Sequence, residues 1–315
     1  MEKKYIALII LNYNNFEDTI NCIESVEKYN TYPIKIIIVD NGSTRDRTIT
    51  EIDSYLTKKY NNQYKCIPDS EVYLTLPYIT FVVSKTNDGY ARGNNKGLKY
   101  AFHDDTIEQI LILNNDVLFV EDVIGKLVDF QQSLPDCAII SPVLFKKDMT
   151  NFDLNCARLN HTNWEIILTF LFSYKNFFGF LKRSEYRRYL LLDSHNQTLP
   201  YMEVELPSGS CMLFQKSLMN EINIFDENTF LYYEENILFK QISRLHKKNY
   251  IINDLKCIHL GASSTSRSRS SFVAKCGLNS ADYYLKQYCT LTFMQKIFWN
   301  IAKFLFIFKL KTIRR

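Results

Sequence analysis

Four short runs of apolar, mostly β-branched residues lie in the first part of the chain, and each one ends abruptly in polar residues. The runs are residues 6–11, 34–39, 79–83 and 110–113. Nearly continuous apolar runs of this length are typical of strands that are covered on both faces in an α/β sheet. Between the first two runs, residues 16–29 place Ile23 and Val26 at helical spacing. A further helix is expected to start near Arg92, and residues 206–214 are expected to form one strand. The sequence therefore predicts an α/β fold with helices on both sides of its sheet.

The polar residues that close these runs fall where an open α/β sheet binds its ligands. Such sheets hold ligands outside the carboxyl ends of their strands, so side chains that follow different strands meet around one crevice. The segments concerned are Asn12-Tyr13-Asn14, Asp40, Asn87-Asp88-Gly89 and Asn114-Asn115-Asp116. We therefore expect one ligand-binding crevice built from four strand ends.

Two of these segments favour a nucleotide or a phosphate as the ligand. The carboxylate of Asp40 could accept two hydrogen bonds from a flat ring or a ribose, although a strand-ending Asp more often shapes a turn. The cluster from Gly89 to Gly97 combines glycines, which let a ligand approach the backbone, with Arg92, which could bind a phosphate through two N–H groups. A helix start rich in small residues is the alternative interpretation. The cluster matches neither GxxxxGK nor GxGxxG, which excludes the standard phosphate loops.

Acidic residues elsewhere could supply a cation site and a general base. Asp116 and the oxygen of Asn114 suit a hard divalent cation, because magnesium and manganese sites that bridge nucleotide phosphates need only one or two protein carboxylates. Glu234 and Glu235 stand at the predicted start of a helix, where a partly buried carboxylate could act as a general base. The structural alternatives are a loop cap for Asp116 and helix-stabilising charges for the glutamates. His259, set between apolar residues, is either a ligand or a core residue.

Charge and cysteine content narrow the partner and the compartment. The chain has 38 basic and 34 acidic residues, a balance that does not favour nucleic acid as a partner. Its eight cysteines contain no CxxC pair, so neither a zinc cluster nor a redox dithiol is predicted, and a reducing cytoplasm fits best. The apolar N-terminal run is interpreted as a first strand because asparagines replace a signal-peptide cleavage site. No segment has the roughly 20 apolar residues of a membrane-spanning helix.

The composition divides the chain into four predicted parts. They are a first α/β half at 1–145, a helical aromatic insertion at 146–203, a second α/β half at 204–262 and a C-terminal helical tail at 263–315. No acidic residue follows Asp282, whereas lysines and aromatic residues accumulate there. The tail is therefore predicted to be a basic amphipathic helix on the inner face of the cytoplasmic membrane, since each basic side chain near anionic lipid adds about 1 kcal/mol. A C-terminal helix that docks on the domain is the alternative.

A succession of short motifs carries a resemblance to a known family. The motifs are ILNYNN at 10–15, IIIVDNGS at 36–43, NDGYARGNNKG at 87–97, ILILNND at 110–116, LPSGSCMLF at 206–214, FDENTFLYYEE at 225–235 and IHLGASS at 258–264. In this order they resemble the family-2 inverting glycosyltransferases with the GT-A fold, a Rossmann-like mixed sheet flanked by helices. More narrowly, the chain is similar to the rhamnosyltransferase-like branch that builds bacterial surface polysaccharides such as capsule or O-antigen.

The resemblance implies a role for each matching residue. The residues implied to lie at the sugar nucleotide are Asn12, Tyr13, Asn14, Asp40, Gly89, Arg92, Asn94, Gly97 and Asn114. Among them, Asp40 corresponds to the carboxylate that reads the base. A metal ion, Mn²⁺ or Mg²⁺, would be held by Asp116 with help from His259. Glu235 occupies the position of the catalytic base, with Glu234 beside it.

The implied activity is an inverting, metal-assisted transfer of a sugar, rhamnose being one candidate, from a nucleoside-diphosphate sugar to a hydroxyl of a lipid-linked or polysaccharide acceptor. Three positions depart from the family pattern: Asn114 replaces an Asp, Ile237 a common acidic residue and Gln241 a common arginine. The last two departures leave open a narrowed donor choice, weakened catalysis, or a catalytically silent, membrane-bound subunit that binds a sugar nucleotide or a partner. A sugar-nucleotide pyrophosphorylase is disfavoured, because residues 10–20 contain none of the Gly, Arg and Lys that its triphosphate loop needs.

Overall fold

Strands from both halves of the chain pair into one mixed sheet. A computed structural model describes residues 3–71, 73–172, 200–261 and 270–312. The strands are β1 (Tyr5–Asn12), β2 (Ile34–Asp40), β3 (Tyr64–Pro68), β4 (Ile79–Val83), β5 (Ile107–Asn114), β6 (Val117–Phe119), β7 (Cys137–Phe145), β8 (Ala157–Arg158), β9 (Tyr201–Val204), β10 (Leu206–Pro207), β11 (Cys211–Gln215) and β12 (Lys248–His259). The helices are α1 (Phe16–Tyr29), α2 (Thr48–Tyr60), α3 (Gly89–His103), α4 (Val123–Ser133), α5 (Asn163–Leu171), α6 (Glu234–Arg244), α7 (Ser270–Gln287) and α8 (Phe293–Thr312).

The order of the strands brings the predicted polar ends together. The order in the main sheet is β3-β4-β2-β1-β5-β11-β7-β12-β6, with β9 also paired to β12, while β8 and β10 form a separate ladder. Strands β4, β2, β1 and β5 are parallel neighbours, so their carboxyl ends share one edge. Asn12 lies opposite Asp40 in the register, and Leu11 lies opposite Asn114. The prediction that these strand ends meet at one edge of the sheet is confirmed.

Helices cover both faces of this sheet, as strands with two apolar faces require. Alternate residues of β1 enter two different buried clusters, Leu8 in one and Ile9 in the other. Helices α1, α2 and α4 pack on the first face, and α3 and α6 on the second. Each fully buried side chain of this size stabilises the fold by about 1.5–3 kcal/mol. The predicted α/β architecture is therefore confirmed.

Two local features differ from the predicted elements. Helix α3 begins at Gly89 and not near Arg92, because Asn87 Oδ1 accepts the Gly89 N–H at 3.0 Å and so starts the helix early. The segment 206–214, predicted as one strand, is divided into β10 and β11 by a turn. In that turn the hydroxyl of Ser208 accepts the N–H two residues later at 3.2 Å, which bends the chain away from an extended path.

The predicted aromatic insertion lies only partly within the described residues. Helix α5 falls inside it, and Thr162 begins that helix with a capping box: its hydroxyl accepts the N–H of Glu165 at 3.2 Å and Glu165 accepts the N–H of Thr162 at 2.8 Å. The part before α5 contains loops, one short 3₁₀ turn and β8, so the helical prediction is too broad there. The remainder of that prediction, residues 173–199, lies outside the described residues.

Helix α8 docks on the domain and also presents an apolar face to solvent. Trp299 and Ala302 are buried in a cluster with side chains of α5, α6 and α7. Trp299 Nε1 and Lys303 Nζ both donate to Asp282 Oδ1 of α7, at 2.7 and 2.8 Å. The large apolar residues of α8 that are exposed are Phe293, Met294, Ile297, Ile301, Phe304, Leu305, Ile307 and Phe308. Within the described ranges, no helix has the length and apolar character needed to span a membrane.

Gly97 allows α3 to pack closely on β1, so we expect Gly97→Ala to destabilise the fold. A Cβ at this position would lie 2.6 Å from Ile9 Cγ2 in the core. Overpacking of this kind costs about 1–3 kcal/mol. Gly125→Ala on α4 is the control, because its new methyl would meet the Asp122 side chain first, at 3.2 Å. Urea unfolding followed by circular dichroism measures both, and a Gly97→Ala protein as stable as the wild type would contradict this account.

Candidate active site

A buried polar platform joins the ends of β1 and β2. Asn12 Nδ2 donates to Asp40 Oδ2 at 2.7 Å, and Ser43 donates its N–H and its hydroxyl to the same carboxylate at 2.8 and 2.6 Å. Asn12 and Asp40 are completely buried. The Asp40 carboxylate is thus engaged by the chain itself, and it fixes the turn that follows β2.

Asn14 and Asn115 extend this platform on either side. Asn14 has a φ of 57°, and its Oδ1 accepts two backbone N–H groups of the turn after β2, each at 2.7 Å. Asn115 Nδ2 donates to Thr19 Oγ1 at 3.0 Å and to Asn12 Oδ1 at 3.3 Å. Tyr13 is half-buried at the same strand end. The end of β1 and the turn after β2 therefore form one fixed polar surface.

The loop before α3 lies very close to this surface. Gly42 has a φ of 70°, and a Cβ there would lie 2.3 Å from the Thr86 carbonyl carbon. Gly89 has a φ of 84°, and its Cβ would lie 2.3 Å from the Phe230 carbonyl oxygen. A side chain at either position would be both strained and blocked, so glycine is required. The N-terminus of α3 is thus held between the turn after β2 and the loop that contains Phe230.

Three other residues expected at the sugar nucleotide have different surroundings. Arg92 is exposed, and its Nε donates to the Glu227 carbonyl at 3.0 Å. Asn94 is completely buried and donates to the Tyr90 carbonyl at 3.0 Å. Gly97 is buried against β1. Of these three, only Arg92 is open to a ligand, whereas the other two shape α3 and its packing.

His259 stands between two carboxylates near the end of β12. Its Nδ1 lies 2.6 Å from Asp153 Oδ2, and its Nε2 lies 3.4 Å from Asp116 Oδ1. All three side chains are largely buried. Burial disfavours the charged imidazole, but Asp116 and Asp153 outweigh burial and raise the pKa of His259 to about 10. The histidine predicted as a ligand or a core residue is therefore part of a charged cluster.

This cluster would suit a divalent cation once the proton on His259 Nε2 is lost, because a histidine binds a metal as the neutral imidazole. A histidine that binds a metal usually donates its other ring N–H to a carboxylate, and His259 Nδ1 faces Asp153 in this way. The 3.4 Å between His259 Nε2 and Asp116 Oδ1 suits two ligands of one cation that is about 2.1 Å from each. No group of three or more candidate ligands occurs among the residues described, so phosphate oxygens and water would have to complete the shell.

The turn between β10 and β11, here called the Ser208–Ser210 turn, lies beside this histidine. Ser210 Oγ is 3.4 Å from His259 Nε2 and accepts a hydrogen bond from Asn114 Nδ2 at 3.2 Å. The Ser210 carbonyl also accepts the backbone N–H of Asn114 at 2.8 Å. The turn is therefore tied both to the end of β5 and to the end of β12.

Gly209 connects this turn to Glu235. The Gly209 N–H donates to Glu235 Oε1 at 3.1 Å, and the Gly209 carbonyl accepts the Tyr90 hydroxyl at 2.6 Å. A Cβ at position 209 would lie 2.8 Å from Tyr90 Oη and 3.0 Å from Glu235 Oε1, so a larger residue would separate these groups. Asp116 and Glu235 belong in this way to one continuous set of contacts, through His259 and the turn.

The two glutamates at the start of α6 are placed differently. The Glu235 side chain is 20% exposed, and Arg158 Nη2 lies 3.4 Å from its Oε1. Glu234 is only 4% exposed. Burial, together with the nearby charge of Glu235, raises the pKa of Glu234 to about 8. Glu235 is thus open to a substrate, whereas Glu234 lies behind it and is neutral near pH 7.

The loop before α6 is strained and is held in place by α7. Tyr232 and Tyr233 have φ values of 74° and 71°. Left-handed backbone at residues other than glycine costs on the order of 1–3 kcal/mol and persists only where neighbours fix it. The hydroxyls of Tyr283 and Tyr288 donate to Asp226 at 2.8 and 2.5 Å and so anchor this loop. The C-terminal helices therefore help to fix the orientation of α6.

Four side chains that complete this site were not predicted from the sequence: Tyr90, Asp153, Arg158 and Ser210. Ser210 lies within the motif LPSGSCMLF, so its hydroxyl could have been noticed. Tyr90 likewise lies within the motif NDGYARGNNKG, whereas the other two carry no local signal. Asp153, for example, meets His259 across 106 residues of sequence, and only the fold brings them together.

A solved structure shares this fold. The crystal structure of GalNAc-T7 with UDP, GalNAc and Mn²⁺ matches 91% of the chain with a TM-score of 0.59 at 12% sequence identity. The chain spans about half, 49%, of the length of that protein. The likeness shows the fold, which is the GT-A fold of glycosyltransferases.

Sequence comparison gives the family. Residues 7–222 match the family model described as glycosyl transferase family 2. The chain is also 24% identical, over 321 residues, to the low-salt glycan biosynthesis hexosyltransferase Agl10 of Haloferax volcanii, covering 98% of this chain and 87% of that protein. The chain belongs to glycosyl transferase family 2. The family match contains Asp116 and ends before Glu235 and His259, and the narrower rhamnosyltransferase branch stays a prediction.

Glu234 should make the fold less stable as the pH rises. Its carboxyl stays protonated in the folded chain to about pH 8, whereas the ordinary pKa of 4.5 applies after unfolding. Its contribution to stability is therefore complete below pH 4.5 and is lost as the pH rises through about 8. We expect Glu234→Gln, which resembles the neutral acid, to exceed the wild type in thermal stability at pH 8 and to lose this advantage at pH 4.5. A constant difference in melting temperature between the two proteins would contradict the neutral carboxyl.

Proposed function

We propose that the chain is an inverting glycosyltransferase that moves a sugar from a nucleoside-diphosphate sugar to a hydroxyl of a glycan acceptor. The observation that carries this proposal is the continuous set of contacts that runs from Asp116 through His259 and the Ser208–Ser210 turn to Glu235. It sets a cluster suited to a cation and a diphosphate beside a partly exposed carboxylate suited to a general base. Family membership and the hexosyltransferase relative support the transfer of a sugar.

In the proposed reaction Glu235 takes the proton of the acceptor hydroxyl as that oxygen attacks the anomeric carbon. The bond from this carbon to the diphosphate breaks on the opposite face, so the configuration inverts and the electron pair leaves with the diphosphate. A positioned general base contributes about 10²- to 10⁴-fold in rate. Glu234 supports this step by staying neutral, because a second anion would compete for the proton.

The platform and the loop before α3 would bind the nucleotide. We assign the base and ribose to residues 12–14 and to the turn after β2, with Asp40 acting through the turn that it holds. Arg92 and the N-terminus of α3 suit the diphosphate, since a guanidinium and a helix N-terminus both favour anions. The neighbour of the same fold contains UDP and GalNAc, which supports a nucleoside diphosphate here. Hexoses, rhamnose included, are the donor sugars to test.

Asp116 and His259 would hold a divalent cation, Mn²⁺ or Mg²⁺, next to Asn114. Such a cation stabilises the charge that builds on the departing diphosphate by several kcal/mol. The GT-A neighbour contains Mn²⁺, which supports the assignment. Asn114 adds no charge, and its amide donates to Ser210, so it would position the site more than bind the ion.

We further propose that the acceptor is lipid-linked and that α8 lies on the inner face of the cytoplasmic membrane. Eight large apolar side chains of α8 are exposed. Apolar patches of this kind mark membrane or protein interaction sites. Helix α8 carries Lys296, Lys303, Lys309 and Lys311 and no acidic residue, which complements anionic lipid.

Asp116→Ala and Glu235→Gln should each abolish transfer, for different reasons. Glu235→Gln removes the base, so we expect kcat to fall by at least about 10²-fold while donor affinity is retained. Asp116→Ala removes the carboxylate of the cation site, so binding of nucleoside diphosphate should also lose its dependence on Mn²⁺. Release of nucleoside diphosphate from a panel of donors measures turnover, and calorimetric titration with and without Mn²⁺ measures binding.

Glu203→Gln is the matched control for these variants. Glu203 is exposed on β9 and pairs with Lys248 at 2.9 Å, so its loss should leave turnover unchanged. Near-normal turnover by either active-site variant would remove that residue from its assigned role. Saturable donor binding by the wild type without turnover on any acceptor would favour the silent subunit over the enzyme.

The exposed face of α8 should bind anionic membranes. We expect the double variant Phe304→Ser, Phe308→Ser to lose binding to liposomes that contain anionic lipid, because both rings are at least 60% exposed and their removal leaves the buried Trp299 in place. Leu74→Ser, at another exposed apolar site, is the control. Liposome flotation of the full chain measures binding, and equal flotation of all three proteins would contradict the membrane role of α8.

A further inference from the structure

Arg158 reaches Glu235 from a part of the chain to which the proposed reaction assigns no role. Arg158 Nη2 lies 3.4 Å from Glu235 Oε1, with about one fifth of each side chain exposed (19% and 20%). The Arg158 Nε is buried and has no hydrogen-bond partner among the residues that the structure describes. A buried donor left without a partner is costly, so the position of the guanidinium needs a reason other than hydrogen bonding at Nε.

The backbone of Arg158 is fixed to the same turn that contacts Glu235. Strand β8 pairs with β10, and Arg158 lies opposite Leu206, just before the Ser208–Ser210 turn. The Gly209 N–H of that turn donates to Glu235 Oε1 at 3.1 Å. Both contacts to Glu235 therefore come from one small ladder, and both are made to Oε1. Oε2 is then the oxygen available to take a proton from the acceptor.

The charges that face Glu235 come from three elements. Arg158 of β8 is the cation within 4.0 Å of its carboxylate in the described chain. Glu234 of α6 is neutral near pH 7, because burial and then the charge of Glu235 raise its pKa to about 8. Tyr90 of α3 is also neutral, since burial and the two glutamates raise the pKa of its hydroxyl. Arg158 thus balances the charge of Glu235.

We propose that Arg158 is a positioning residue for Glu235: together with the Gly209 N–H it holds Oε1 and so directs Oε2 towards the acceptor hydroxyl. The proton of the acceptor goes to Glu235. Without Arg158, Oε1 would keep only the Gly209 N–H of these two partners, and the carboxylate would be free to turn away from the acceptor. The inference rests on the proposed function, because it assumes that Glu235 is the base.

The test is the kcat and the donor KM of Arg158→Met and Arg158→Lys, measured as release of nucleoside diphosphate. We expect Arg158→Met to lose about tenfold or more in kcat, because a displaced base slows the chemical step without weakening donor binding. The donor KM should stay unchanged. Arg158→Lys, which keeps the charge, should restore most of the rate. Arg244→Met, at the far end of α6 and exposed, is the control and should match the wild type.

Several outcomes would overturn the inference. A loss of kcat that lysine does not restore would show a structural role. A raised donor KM with unchanged kcat would place Arg158 at the diphosphate. If Arg158→Met fails to fold, Arg158→Gln and the lysine variant give the same comparison. Absence of transfer by the wild type, in contrast, would overturn the proposed function itself, and this inference with it.

Discussion

The hydrogen bond from the Gly209 N–H to Glu235 joins the two parts of the site, and the rest of the arrangement depends on it. On one side of Gly209 the turn contacts Asn114 and His259, which lie at the cluster formed with Asp116. On the other side it contacts Glu235 and, through its carbonyl, Tyr90. Because a methyl group at 209 would already crowd Glu235, the spacing between the two parts is set by the absence of a side chain.

The local sequence pattern predicted the helices and strands well, but it predicted the contacts between them poorly. The helix expected at 16–29 is α1 with the same bounds, because its apolar spacing is a property of the segment itself. The strand ends at Asn12, Asp40 and Asn114 followed from parallel pairing, a general rule of α/β sheets. Arg158, in contrast, stands in a two-residue strand without periodicity, and its contact with Glu235 exists only in the folded chain. The burial of Asp40 was likewise a tertiary property that its strand-end position could not indicate.

Two departures from the family pattern have a structural explanation. Ile237 is completely buried in the cluster that α6 shares with the C-terminal helices. An acidic residue there would place a charge in an apolar core, which costs several kcal/mol unless it is paired. Gln241 donates to the Asn223 carbonyl at 2.8 Å and so ties α6 to the preceding loop. Both residues therefore have a structural role in placing α6, so both departures are consistent with an active enzyme.

Ile237 also links α6 to α8, because it lies in the same apolar cluster as Trp299 and Ala302 of α8. Helix α6 carries Glu235 at its start, so the carboxylate is connected through this cluster to α8, the helix proposed to contact lipid. Once α8 rests on a bilayer, the carboxylate would work at a constant height above the lipid headgroups. A lipid-linked acceptor would then have to present its hydroxyl at that height, and the number of sugars already on the carrier would decide whether it reaches.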